Sequence, residues 1–254
     1  LPLQKAYEER SVVAKVAVPA NMNAKDITAV VVRDEKGNWT TVPWKLDVVN
    51  NQPFVTLSLT GSGSVAFLSN RQSFSDVDDQ NWAKQAISEV AGQLFMLGRS
   101  PQHFDPQSHI TRAEYPTVLL RVLGLMNHQA KPNFTDVGQE DWYSRSVAIA
   151  SEMGIVNGFD DGSYMPNEEL SRMEAMIMVG RSLKILGADQ VLTETEVRDT
   201  LGAFKDDASI PDWAREAVAL CIKLGIITGQ DQSISPTDPL TRAQAAAIAM
   251  RLSH

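Results

Sequence analysis

The chain has 254 residues, 43% of them hydrophobic, and a formal charge of −8, which suits one large domain or two or three small ones. The acidic balance and the lack of a basic stripe argue against nucleic acid as a partner. No apolar run reaches bilayer length, and a single cysteine, Cys221, excludes an internal disulfide. Charge is unevenly spread: residues 1–70 hold seven Lys/Arg against six Asp/Glu, and residues 71–254 hold 16 against 25. An anionic ligand would therefore need local cationic pockets, not a general field. The start at Leu1-Pro2-Leu3, without Met or a signal-peptide pattern, predicts a mature or excised piece of a longer protein.

Residues 1–70 read as short strands. Ser11 to Val18 alternates partly with period two, and Ile27 to Arg33 is rich in β-branched residues. Asp34-Glu35-Lys36-Gly37-Asn38 is a turn before Trp39-Thr40-Thr41-Val42. Phe54 to Leu59 alternates cleanly, and Val65 to Leu68 follows Gly61-Ser62-Gly63. Five such strands predict a small all-β domain, a sandwich or part of one. Trp39 and Trp44 fit cross-strand packing better than sugar stacking.

From Phe74 the chain repeats itself. Phe74-Ser75-Asp76 precedes Trp82, Phe134-Thr135-Asp136 precedes Trp142, and Phe204-Lys205-Asp206 precedes Trp213. Each copy then has a glycine (Gly98, Gly158, Gly229) and a proline six residues before an arginine: Pro106 and Arg112, Pro166 and Arg172, Pro236 and Arg242. This is one supersecondary unit in triplicate, over 71–130, 131–192 and 193–254, each too small to bury its own apolar face. Each unit reads helix, loop, helix; in the first, Trp82, Ala83, Ala86, Ile87, Val90 and Leu94 share a face. The Trp-bearing helices are expected side by side at the centre, with their indoles anchoring the core. Thr193 to Leu201 predicts one further short helix, a connector that lets the third unit meet the first.

Each second helix opens on a capping box. The three are Thr111-Arg112-Ala113-Glu114, Ser171-Arg172-Met173-Glu174 and Thr241-Arg242-Ala243-Gln244. The box has no need of an arginine at the first helical position, where the positive end of the helix dipole disfavours a cation. An anion held jointly by the guanidinium and the first free amides would remove that conflict. Pairing of each Arg with a carboxylate of this acidic chain is the alternative.

Four landmarks in fixed order, Phe-x-Asp, Trp, Gly and Pro-x-x-x-x-Thr-Arg-Ala-Glu, resemble the S-layer homology module in triplicate, across residues 73–254. The resemblance implies a mainly α fold, a pseudo-threefold, three-pronged assembly of the three repeats, preceded by the small all-β domain as the tail of whatever is anchored. It implies an exported protein of a Gram-positive cell wall or surface layer, held non-covalently to secondary cell wall polysaccharide, often bearing a pyruvate ketal. It also implies grooves between neighbouring repeats, with the capping-box arginine as a key contact. Departures are Pro116 inside the first box helix, Leu94 at the position of Gly154, Met173 for Ala and Gln244 for Glu. Pro116 and the glycine-poor loop Arg99 to His103 predict a weakened first groove.

The candidate ligand-binding set is Arg112, Arg172, Arg242, Glu114, Glu174, Gln244, Thr111, Ser171, Thr241, Trp82, Trp142, Trp213, Asp76, Asp136, Asp206, Gly98, Gly158 and Gly229. The aspartates also read as caps of a turn before the Trp helix, and the glycines as left-handed helix ends. No metal or cofactor is expected: Asp76-Val77-Asp78-Asp79 and Asp160-Asp161-Gly162 lack the pattern of a calcium loop. His103, His109 and His128 share no ligand spacing, and His254 is terminal. Catalysis is not expected either, because Glu114 and Glu174 are taken by their boxes and Gln244 replaces the third. A structural module that self-assembles laterally, without specific glycan binding, is the other class the sequence allows.

Overall fold

A computed structural model describes residues 12–34, 37–59, 63–188 and 190–253. Leu1-Pro2-Leu3, Ser11, Glu35, Lys36, Gly61, Ser62 and His254, which figure in the expectations above, lie outside the described residues.

The β-branched N-terminal segments form β1 (Val12–Ala17), β2 (Ala29–Arg33), β3 (Trp39–Thr41), β4 (Trp44–Val49), β5 (Gln52–Leu59) and β6 (Ser64–Leu68). They make two antiparallel sheets, β1-β5-β4 and β3-β2-β6. Val55 and Leu57 of one sheet pack with Val30 and Val32 of the other, together with Val18, Ile27 and Val42. The strand β4 adds to the five expected. Its hairpin to β5 turns on Asn50 and Asn51, both at positive φ (51° and 62°), with Val49 paired to Gln52. Two left-handed residues between two paired strands are a primed turn, which asparagine tolerates.

This sandwich is bonded to the first repeat. The Thr41 hydroxyl donates to the Gln93 carbonyl at 2.8 Å, the Thr40 hydroxyl to Asn127 Oδ1 at 2.8 Å, and the Asn70 amide to the Ala91 carbonyl at 3.2 Å.

The repeats supply seven α-helices among the described residues. These are α1 (Lys84–Gly92), α2 (Glu114–Val122), α3 (Ser144–Glu152), α4 (Arg172–Leu186), α5 (Glu194–Leu201), α6 (Asp212–Lys223) and α7 (Arg242–Ser253). The expected extra helix is α5, opened by a capping box at Thr193 and Glu196. "Mainly α" overstates the fold, since helix content is 34%. Each repeat spends most of the stretch between its two helices on turns, as from Gln93 to Ala113.

Each box helix packs against the first helix of the next repeat: α2 on α3, α4 on α6, and α7 back on α1. The box helices also meet one another, α2 with both α7 and α4. That corrects the expectation of central Trp-bearing helices. Trp82, Trp142 and Trp213 are 62%, 64% and 68% exposed, because small and aliphatic residues such as Ala86, Ile87, Val147 and Val218 fill the buried face instead.

Three buried residues link the repeats in a closed ring of backbone hydrogen bonds. The Ile110 amide donates to the Leu240 carbonyl (2.9 Å), Leu170 to Ile110 (3.0 Å) and Leu240 to Leu170 (2.7 Å). All three side chains are fully buried in one hydrophobic core shared by the repeats.

Candidate functional site

The three arginines stand at the joints of this ring. In every box the hydroxyl accepts from the amide three residues on, and the Glu or Gln side chain accepts from the first amide. The next amides are not free. Those of Arg112 and Ala113 donate to the Glu168 and Pro166 carbonyls, those of Arg172 and Met173 to Asp238 and Pro236, and those of Arg242 and Ala243 to Ser108 and Pro106. Each helix start is thus occupied by the loop of the following repeat. The expected anion cradle of free amides is corrected: carbonyl oxygens of the neighbour fill it, and they meet the positive helix end well. The guanidinium joins the same latch, because Arg112 Nε donates to the Tyr164 carbonyl (3.0 Å), Arg172 Nε to Ile234 (2.7 Å) and Arg242 Nε to Phe104 (3.0 Å).

What remains for a ligand is the outer end of each guanidinium, and the three differ there. Arg112 Nη1 lies 2.8 Å from Glu174 Oε1, its Nη2 faces the Asn157 carbonyl at 3.4 Å, and the Phe159 and Tyr164 rings flank it at 5.0 and 5.1 Å. Arg242 Nη2 donates to the Leu97 carbonyl at 2.8 Å; Nη1 is 3.9 Å from Glu114, a carboxylate that Arg99 also engages. At the corresponding place beside Arg172 stands Gln244, so no carboxylate pairs with it within 4 Å among the described residues. Arg172 borders a cavity of about 830 Å3 together with Thr228, Gly229, Asp238 and Gln244. Burial lowers the Arg172 pKa from its ordinary value, and nearby Asp238 and Asp206 act against that. Burial, helped by Arg99, lowers Arg242 to about 10. A buried guanidinium stays charged at neutral pH and, left unpaired, favours an anion.

The expected site residues therefore take distinct places. Asp76, Asp136 and Asp206, expected as caps of a turn before the Trp helix, hold a distant loop. Each accepts two loop amides 28 and 29 residues later: Phe104 and Asp105, Tyr164 and Met165, Ile234 and Ser235. Partial burial pushes the Asp76 and Asp206 carboxyls up, but those amides outweigh it and hold both below the usual range. The second residue of each amide pair, Asp105, Met165 or Ser235, sits at positive φ, so the clamp holds a backbone that would otherwise be unfavourable.

Gly98, Gly158 and Gly229 are not left-handed helix ends, a correction to the expectation. A side chain there would strike the Phe of the Phe-x-Asp motif: a Cβ at Gly158 lies 2.3 Å from Phe134 Cε1 and 2.7 Å from the Ser163 carbonyl. The left-handed ends are Leu94, Gly154 and Gly225. A second arginine triplet escaped the sequence reading. Arg121, Arg181 and Arg251, each nine residues after a capping-box Arg, donate to the Phe95, Ile155 and Ile226 carbonyls of their own repeats. Their spacing of 60 and 70 residues was the available signal.

The S-layer homology domain matches residues 73–115, 133–176 and 203–246. The chain belongs to the S-layer homology domain family. It is 33% identical over 213 residues to an amylopullulanase of Thermoanaerobacterium thermosulfurigenes, covering 83% of this chain and 11% of that protein. It is 33% identical over 233 residues to exoglucanase XynX of Acetivibrio thermocellus (90% and 20%), and 26% identical over 176 residues to S-layer protein sap of Bacillus anthracis (69% and 20%). The chain thus spans about a tenth to a fifth of the length of these curated relatives. Occurrence of the domain in S-layer proteins supports a cell-surface anchoring role. No helix among the described residues is long and apolar enough to cross a membrane.

Within the S-layer homology repeats the first departs through Pro116. Proline has no amide to give the Arg112 carbonyl, and α2 accordingly begins at Glu114, whereas α4 and α7 begin at Arg172 and Arg242. The Tyr164 hydroxyl donates to the stranded Arg112 carbonyl at 2.6 Å. Phe104 and Ile234, which lie in register with Tyr164, have no hydroxyl. Pro116 therefore leaves the first capping box intact. The loop Arg99 to His103, expected to narrow the groove of Arg112, belongs instead to the groove of Arg242, because each arginine reaches the loop of a neighbouring repeat.

Proposed function

We propose that the chain is a non-covalent cell-wall anchor that binds an anionic glycan in grooves between its repeats, with the groove of Arg172 as the principal site. The ligand class is a secondary cell wall polysaccharide carrying carboxylates such as pyruvate ketals. The observation that carries this reading is the exchange of Glu for Gln244, which leaves the buried, charged Arg172 facing a cavity without a paired carboxylate. A carboxylate ligand completes that arrangement at the least cost, since the guanidinium is already desolvated and held by Ile234.

The reading takes the three repeats, divided near residues 130 and 192 and preceded by the β domain to residue 70, as a pseudo-threefold, three-pronged body. The closed ring through Ile110, Leu170 and Leu240 supports it. Thr111, Ser171 and Thr241 set the helix starts, and the exposed Trp82, Trp142 and Trp213 offer sugar-stacking faces. The protein is secreted and wall-bound in this reading. The catalysis named for the two relatives belongs to parts of those proteins outside the matched share.

Sedimentation with purified Gram-positive walls, before and after mild removal of the attached polysaccharide, tests it. Binding is expected to vanish with the polysaccharide. Retention on the stripped wall would overturn the glycan assignment, ordered lattices without wall would assign self-assembly, and release of reducing sugar would assign an enzyme.

A further inference from the structure

A second cavity, of about 790 Å3, lies where the β-sandwich meets the first repeat. Two indoles border it. Trp44 comes from β4, and its Nε1 is shielded from solvent without a hydrogen-bond partner. Trp82 comes from the segment entering α1 and is 62% exposed. Around them stand the polar side chains Asn81, Gln85, Ser88 and Gln93, with one carboxylate, Glu89, which accepts from Gln93 Nε2 at 3.3 Å. The bordering cations are matched, Arg71 with Asp26 at 3.2 Å and Lys84 with Asp79. Unlike the Arg172 groove, this cavity therefore offers no uncompensated charge to an anion.

An exposed indole face with neutral amides and a hydroxyl at its rim suits a pyranose ring. The ring's C–H face lies on the indole, and its hydroxyls exchange hydrogen bonds with side-chain amides that both donate and accept. The junction is also held in place: the Thr41 bond to the Gln93 carbonyl and the Asn70 bonds to the Thr28 hydroxyl and the Ala91 carbonyl tie β3 and the segment entering β2 to α1 and its C-terminal end. Trp82 borders both this cavity and the one containing Arg172, so the two share a wall. The match to exoglucanase XynX covers 90% of the chain, and residues 73–254 are less than three quarters of it. That match therefore takes in part of the β domain together with the repeats.

We propose that the junction is a second carbohydrate subsite, which takes an uncharged pyranose segment between Trp82 and Trp44 of the same glycan whose charged end occupies the Arg172 groove. It rests on the anchoring reading above and gives the β domain a share in binding.

The full chain labelled with 5-fluorotryptophan is titrated with two probes. One is wall polysaccharide fragments whose carboxyl groups have been reduced to alcohols; the other is sodium pyruvate. The reduced fragments are expected to shift the Trp82 and Trp44 fluorine signals, and pyruvate, held in the Arg172 groove, to leave Trp44 unshifted. Trp82→Ala, at a position 62% exposed, is expected to weaken the reduced fragments at least about tenfold, equivalent to one stacking contact with its buried area. Gln85→Ala is expected to weaken them a few-fold, and Gln244→Glu to leave them unchanged. Failure of the reduced fragments to bind while intact fragments bind, or binding indifferent to both Trp82→Ala and Gln85→Ala, overturns the subsite and leaves the groove reading standing. Binding of reduced fragments through Trp82 with intact fragments indifferent to Gln244→Glu overturns the groove reading alone. Self-association in ultracentrifugation that Trp82→Ala abolishes assigns the face to a second copy and overturns the subsite.

Discussion

The grooves of Arg112 and Arg172 are built on one plan and end in opposite states. In both, the arginine enters the following repeat, gives its Nε to a loop carbonyl and stands on a complete capping box. Arg112 then meets Glu174 and two aromatic rings, while Arg172 meets Gln244 and open space. A single carboxamide in place of a carboxylate separates a neutralised joint from a charged one. Repetition of a motif thus fixes the latch three times and leaves ligand capture to the residue opposite.

Both grooves require the ring to be closed, and that gives the largest expected effect. Removing residues 203–254 takes away α6 and α7, exposing the faces of α4 and α1 they cover. The remainder is expected to lose cooperative unfolding in a calorimetric scan. A melt as sharp as that of the whole chain would show the repeats to be independent domains.

The next effect exchanges the two states directly. Gln244→Glu places a carboxylate beside Arg172 and is expected to weaken an acidic wall fragment at least about tenfold in calorimetry, the scale of one charge-assisted contact. Glu174→Gln frees Arg112 and is expected to add a binding site, read as a rise in stoichiometry. An affinity indifferent to both substitutions would remove the outer guanidinium from the binding account. Substituting Arg172 itself is a poorer probe. Its stem is buried and its Nε holds Ile234, so Arg172→Ala also loosens the latch.

A third effect concerns stability alone and separates the first repeat from the others. Tyr164→Phe leaves the Arg112 carbonyl without its donor and is expected to cost about 1–3 kcal/mol in denaturant unfolding. Pro116→Ala restores an amide in reach of that carbonyl. In its background the cost of Tyr164→Phe is expected to shrink, with a coupling of about 1 kcal/mol. Strict additivity would mean that the hydroxyl and the proline act independently.

How far the sequence discloses this arrangement follows from the range of each signal. Capping boxes, including the one at Thr193, are written within four residues and were read correctly. The triplicate order and the helix-loop-helix content of each repeat rest on local periodicity and are equally plain, whereas the packing of each box helix on the next repeat is not written locally. The Trp positions were misjudged because helical periodicity marks a face without saying how far its edge is covered. The loop opposite each arginine could not be read, since Arg112 and Tyr164 lie 52 residues apart and Arg242 and Phe104 lie 138 apart. Gln244 was visible as a departure, but its meaning depends on Arg172, which only the ring brings to it. In the proposed reading a weak first groove rests on the pairing of Arg112 with Glu174 and not on Pro116.

The smallest expected effect compares two capping boxes. Glu174 completes its box at a joint of the ring and also faces Arg112. Glu196 completes the box of α5 at the exposed surface, where Lys223 approaches within 2.5 Å. Its hydrogen bond with Lys223, and then those with Thr193, lower its pKa to about 2 from an ordinary 4.5. The unfolded chain takes up this proton near pH 4.5, whereas the folded chain holds it off until about pH 2. Between those values the unfolded state binds more protons, so falling pH favours unfolding of α5. The stabilisation is complete above the ordinary value and is lost as pH falls toward 2. Carboxyl-carbon NMR is expected to place the Glu196 midpoint near 2 in the whole protein, and Lys223→Ala to raise it toward the ordinary value. A midpoint that stays put in Lys223→Ala would assign the shift to the Thr193 amide and hydroxyl alone. The exposed box would then owe nothing to its lysine, and the contrast with the arginine-paired box at Glu174 would sharpen.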